Sequence, residues 1–384
     1  MIDTAAPPAP AEAVAPGQSL QPPLFDLLAR SWRLEAAVHS ISMDNAGKTA
    51  GFALADGRIA LIPLDDAESP LVRMRVEFDS GRSTIRPREK PVASPILTRP
   101  VAGSAPFLVP SASLGFIAAG CEGRLTRVTP RGQAIPLGRD DAPLSAIASD
   151  GKGRIAIARE DRTDLHDEDG MPRQARVVTE GFASAIAFAP DGQSLAVQQD
   201  SGLLIWQPRQ GSQTHATSGT GSGGLVISAD GEWIAGTGDG GLWLLRRRDG
   251  QIARIGKFRA PPLSISFSAG ENAVFAAGAF RVAGWSLGTP PFASESDGAL
   301  RSGRPGLVLI ERVAAHPTRP LVAFGTADGA VSVTRIGEVG EMPLRHGDGA
   351  AVSALVWSAC GTHLAMGTTA GDAAIVTLPA QIFK

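Results

Sequence analysis

Short apolar runs separated by Asp-Gly and Gly-containing turns recur along this chain. The clearest stretch is residues 182–206, FASAIAFAPDGQSLAVQQDSGLLIW. Ala185-Ile186-Ala187-Phe188 alternates small and large apolar residues, Pro190-Asp191-Gly192 turns the chain, and Ser194-Leu195-Ala196-Val197 runs back. Asp200-Ser201-Gly202 turns it again before Leu203-Leu204-Ile205-Trp206. Asp and Gly suit these places because tight hairpins need residues that tolerate positive φ. Apolar runs of this length are too short for helices and read as strands. Three strands alone are marginal in water, so the unit must bury its faces against something else.

That something is more of the same sequence. Related units fall at residues 38–62, 106–128, 143–165, 222–245, 262–285, 310–333 and 352–378, spaced roughly 40 residues apart. The copy at 106–128 is the weakest, carried by Phe116-Ile117-Ala118-Ala119-Gly120 and Glu122-Gly123. A repeat of this period with four strands per unit specifies a β-propeller. The expected fold is all-β: a closed propeller of four-stranded antiparallel blades, eight in number, or seven if the weak copy is not a blade.

The repeats resemble the WD-repeat family, in degenerate form. The matching features are Ala189-Pro190-Asp191-Gly192, the strand after it, the following Asp-Gly turn, and Trp206 and Trp285 at the ends of third strands. His346 precedes Val352 roughly where the family carries Gly-His. Leu61, Leu245, Val333 and Ile375 stand where Trp would be, and no copy has Trp followed by Asp. The family's His–Ser/Thr–Asp–Trp hydrogen-bond network is therefore incomplete, and the blades should be held by apolar packing between sheets. The resemblance also implies ring closure by an N-terminal strand, placing residues 30–36 at the outer edge of the last blade.

Residues 1–24 are rich in Ala and Pro and read as a disordered tail, with residues 25–384 forming one propeller domain. Residues 71–78 are expected to be the fourth strand of the first blade. The long connection after them carries Arg82, Arg86, Arg88, Lys90 and several prolines, and loops of this length are often functional. A second long connection, residues 286–304, carries Phe292 outside the repeat pattern. Arg82, Arg86, Arg88, Lys90 and Phe292 are thus the candidate partner-binding residues. Arg246-Arg247-Arg248 and the acidic group Asp164, Asp167, Glu168 and Asp169 read as solvated turns.

The 384 residues carry a net charge of −2, so no global field draws the chain to nucleic acid or acidic membranes. No apolar run is long enough to span a bilayer, and residues 1–21 lack the basic start and apolar core of a signal peptide. A cytoplasmic, monomeric propeller is expected. Cys121 and Cys360 occupy small-residue positions of the repeat and read as buried free thiols.

Cys360-Gly361-Thr362-His363 has a metal-like spacing, but no second local pair completes a site, so neither metal nor cofactor is expected. Ser218–Gly224, SGTGSGG, precedes a strand and is a linker, not a phosphate loop. No nucleophile elbow, Walker loop or zinc-protease motif occurs. The expected function is a non-enzymatic scaffold that binds one or more proteins. The alternative is an enzyme, or a small-ligand or metal-binding protein, with a site at the channel mouth.

Overall fold

The computed structural model describes residues 23–76, 83–137, 142–169, 171–179, 181–217 and 224–383. Eight antiparallel sheets form a closed ring. Their innermost strands are Val38–Met43, Phe107–Pro110, Ala146–Ser149, Ala183–Phe188, Leu225–Ile227, Ile265–Ser268, Ile310–Ala315 and Val352–Trp357. Each touches the innermost strand on either side, and Val38–Met43 meets Val352–Trp357 to complete the circle. The protein is an eight-bladed β-propeller, and the weak second copy is a full blade of four strands, Phe107–Pro110, Phe116–Ala119, Leu125–Val128 and Ala134–Leu137.

Seven blades have four strands. Blade 6 has three, Ile265–Ser268, Ala273–Ala276 and Ala283–Ser286. Single bridges from Val282 to Ser302 and from Trp285 to Ala299 stand where its fourth strand would run. In blade 8 the outer strand is Ala29–Arg33, paired antiparallel with Asp372–Thr377 so that Ser31 faces Ala374. The N-terminal closure is therefore present. The strand ends at Arg33, and Leu34 donates its N–H to Gly371.

The expectation for residues 71–78 is corrected. Pro70–Arg73 is a short helix, and Met74–Val76 pairs with Ser83–Ile85 in a separate two-stranded ribbon. The fourth strand of blade 1 is Ile96–Leu97, beside Leu61 and Ala60. Pro70 occupies the first turn of the helix, where a missing N–H costs nothing, whereas a sheet interior would lose a ladder bond.

Eight apolar clusters each join one neighbouring pair of blades. Each blade is thus buried on both faces, as expected for sheets held by packing. Fully burying one such side chain is worth about 1.5–3 kcal/mol. Close approach is allowed by glycines on second strands. A Cβ added at Gly367 of blade 8 would lie 2.4 Å from Val38 of blade 1, and one at Gly325 of blade 7 would lie 2.6 Å from Val352 of blade 8. These glycines are sockets for the first residue of the next blade.

Polar ties supplement the packing. Arg154 of blade 3 donates to the carbonyl of Gly192 in blade 4 at 2.6 Å. His316 of blade 7 is buried, with its ring centroid 4.7 Å from that of Trp357. Its Nδ1 accepts from the N–H groups of Thr318 and Arg319, so Nε2 carries the proton and donates to the Gly361 carbonyl of blade 8 at 3.0 Å. Burial pushes this imidazole below its ordinary value.

Two smaller expectations are also corrected. Both cysteines are free, but they are exposed, because the small-residue positions they fill are turn tips. Asp164 is buried among Arg159, Arg162 and Arg176, and Glu168 accepts from Ser111 in blade 2. They are joints between elements, not solvated turns.

Candidate functional site

The long connection of blade 1 is an ordered clasp. Its helix is fixed by Arg73, 3% exposed, whose guanidinium donates to three carbonyls: Glu68 at 2.8 Å, Leu27 at 2.5 Å, and Arg86. The preceding turn supplies the counter-charges. Asp66 pairs with Arg88, and with Arg30 of the closing strand at 3.7 Å. Burial pushes the Asp66 carboxyl up, but hydrogen bonds from Arg88 and the Glu68 N–H, with both arginine charges, hold it below the usual range. The Glu68 carboxylate accepts the N–H groups of Glu89 at 2.9 Å and Lys90 at 3.0 Å.

The same segment reaches across to blade 8. Trp32, on the closing strand, donates Nε1–H to the Ala93 carbonyl at 2.8 Å, and Arg30 donates to the carbonyls of Pro63 and Leu64. Ile85 packs on the apolar cluster shared by blades 7 and 8. An insertion in the first blade therefore grips the strand that closes the last one.

Three of the candidate residues lie on this clasp. Arg86 pairs with Glu89 while its carbonyl serves Arg73. Arg88 is engaged by Asp66. Lys90 is exposed, held through its backbone alone. Arg82 lies outside the described residues, as do residues 1–22 of the tail and residues 218–223 of the Gly-rich linker. Phe292 is on the blade 5–6 side and does not join them. It stacks on Trp233 with centroids 6.1 Å apart, and the Arg246 guanidinium sits 4.7 Å from its ring centre.

The sequence reading passed over Leu71 and Val72. They stand on the outward face of the clasp helix, 47% and 70% exposed. The signal was Ser69-Pro70, a helix start placed inside what resembled a strand. Arg75, Arg86 and Lys90 lie on the same segment.

On the innermost strands the only titratable side chains are His39, Glu311 and Arg312. Arg312 bonds the carbonyls of Ser353 at 2.7 Å and Glu311 at 2.8 Å, which makes it a strut between blades 7 and 8. A cleft of about 520 Å³ between blades 4 and 5 is walled by Gln207, Gln210, Gln213, Asp230, Arg247 and Arg248. Arg247 is spent there on Gly231 and Ser194. Among the described residues no three His, Cys, Asp or Glu side chains converge as a metal site would require, and no helix is long and apolar enough to cross a membrane.

Comparison with known proteins supports the architecture. The chain is similar to a computationally designed protein, Ika8, at 16% identity and a TM-score of 0.61, covering 90% of this chain and 98% of that one. It is also similar to the C-terminal WD40 domain of Sif2, at 14% identity and a TM-score of 0.59, covering 92% of this chain and 99% of that domain. At these identities the likeness is one of fold: a WD40-like propeller. No family model and no curated protein matches the sequence.

Proposed function

We propose that this chain is a non-enzymatic, cytoplasmic scaffold that holds one or more protein partners on a rigid ring. WD40-like propellers commonly serve in that way, and the step from fold to function is an analogy. The observation that carries it to this chain is the clasp helix. Leu71 and Val72 are presented to solvent on an element anchored by Arg73, so the exposed apolar step is held in place at no further ordering cost. Exposed apolar groups ringed by polar residues are the usual marks of a protein contact.

The test is affinity capture from the native cell with two baits, the wild-type chain and the Leu71→Asp/Val72→Asp double variant. Both sites are exposed, so the variant should melt with the wild type. A partner held by the wild type and lost by the variant is the expected result. Equal recovery by both baits removes the clasp from the interface, and no enrichment with either sinks the scaffold reading.

A further inference from the structure

On blade 6, three connections are laced side by side. Arg259 and Ala260 donate their N–H groups to the Gly278 carbonyl at 3.0 and 3.1 Å. Gly278 in turn donates to Ile310 at 2.9 Å, and Gly306 donates to Phe280 at 2.7 Å. Arg281 reaches the Ser302 carbonyl through Nε at 3.4 Å. Residues 256–262, 277–282 and 301–309 therefore form one continuous surface at one end of the blade.

The composition of that surface is lopsided. The three segments carry Lys257, Arg259, Arg281, Arg301 and Arg304 and no carboxylate, in a chain whose net charge is −2. Two carboxylates approach from outside. Glu295 lies 3.7 Å from Lys257, and Glu341 accepts the backbone N–H of Arg304. The four guanidinium groups have no ion pair among the described residues. On the same segments stand Phe280, 42% exposed, and Leu307, 97% exposed. Phe280 occupies a turn position where blades 1, 5 and 7 use Asp-Gly, so an aromatic replaces the residue turn geometry favours. Single exposed apolar residues need no explanation. Two on hydrogen-bonded neighbouring loops that also carry arginines without ion pairs form a recognisable combination.

We propose that this surface is a docking site for an acidic peptide segment of a partner protein, in which Asp or Glu residues flank a leucine or aromatic anchor. The cations select the flanking charges and steer the encounter, while Phe280 and Leu307 receive the anchor. A polyanion such as nucleic acid would use the arginines but leave Leu307 without a role, so the peptide is the occupant that employs both features. The site deepens the scaffold reading and rests on it, but it is separate from the clasp.

The experiment pans a phage-displayed library of random short peptides against the full chain, then measures the enriched peptide by fluorescence anisotropy. The expected result is enrichment of acidic sequences bearing a Leu or aromatic residue, with binding weakened about tenfold or more by Phe280→Ser/Leu307→Ser. Arg259→Glu/Arg281→Glu should weaken it about tenfold, with binding that also declines as salt rises. Phe280, Leu307 and Arg259 are exposed and Arg281 is half-buried, and unchanged melting confirms that the variants fold. Enrichment of non-acidic peptides, equal binding by the variants, or no enrichment overturns the proposal. So does tighter binding to poly(dT) or phosphatidylserine vesicles that is insensitive to Leu307→Ser. If the peptide site fails while cellular capture still depends on Leu71 and Val72, the scaffold reading stands without it.

Discussion

Blade 1 and blade 6 both interrupt the repeat with a long, arginine-bearing connection, and they use it in opposite ways. In blade 1 Arg73 and Arg88 turn inward. With Arg30 of the closing strand they satisfy carbonyls and carboxylates, and the connection becomes a clasp across the ring's seam. In blade 6 the connection is held by aromatic packing, with Trp285 donating to the Glu295 carbonyl at 2.8 Å and Phe292 stacked on Trp233. Its arginines, and those of the turns beside it, stay outside. The difference lies in where the acids are spent: Asp66 takes Arg88 and Arg30, whereas Glu295 meets Lys257 and Glu341 takes the Arg304 backbone N–H. Similar loop compositions yield structure or surface depending on whether a carboxylate engages the guanidinium groups.

The comparison is broken most sharply at the arginines. Arg73→Met removes a buried guanidinium and its hydrogen bonds to the carbonyls of Glu68, Leu27 and Arg86, and should destabilise the protein by about 3 kcal/mol in urea unfolding. Arg259→Met should stay within about 0.5 kcal/mol, as exposed positions do. If the two cost the same, the inward–outward distinction is wrong. A step smaller, Gly367→Val drives a branched side chain into Val38 at the seam and should cost about 1–3 kcal/mol, read as a lower melting temperature.

Phe292→Ala removes the half-buried ring that holds the second connection. We expect a loss of about 1–2 kcal/mol, with faster hydrogen exchange limited to blades 5 and 6. Should the seam exchange faster as well, the two connections are energetically coupled.

The smallest effect concerns pH. Burial lowers the pKa values of His316 and His363 from 6.5; the second also lies near the Arg30 charge of the clasp. As pH falls below that value, the unfolded chain takes up protons that the native chain resists. The stability these groups contribute is therefore complete above 6.5 and is lost in the acid range. After correction for the slower intrinsic amide exchange in acid, protection at blades 7 and 8 should fall between about pH 7 and pH 5.5, while that of the blade 6 connection, which has no histidine, is kept. Uniform acceleration around the ring would place the sensitivity elsewhere.

Much of this was legible in the order of residues. Recurrent Asp-Gly turns placed the blades, because a turn needing positive φ admits few residues, and the apolar runs between them could be only strands. Leu61, Leu245, Val333 and Ile375 in the places of Trp foretold sheets joined by packing. The candidate sites were read less well. Arg88 was visible as a cation, but nothing local showed that Asp66, far back along the chain, would claim it. Leu71 and Val72 looked like strand residues because a four-residue helix has no period to detect.

The sequence by itself determined the repeat and the blade fold, since both follow from short-range chemistry repeated along the chain, and the N-terminal closure was implied by the resemblance to the WD-repeat family. Only the tertiary structure decided which arginines are internal, which cysteines are exposed, and that loops from 256 to 309 share one surface. Those outcomes depend on distances between residues remote in sequence. A charge or an apolar group has no fixed role until the fold supplies, or withholds, its partner.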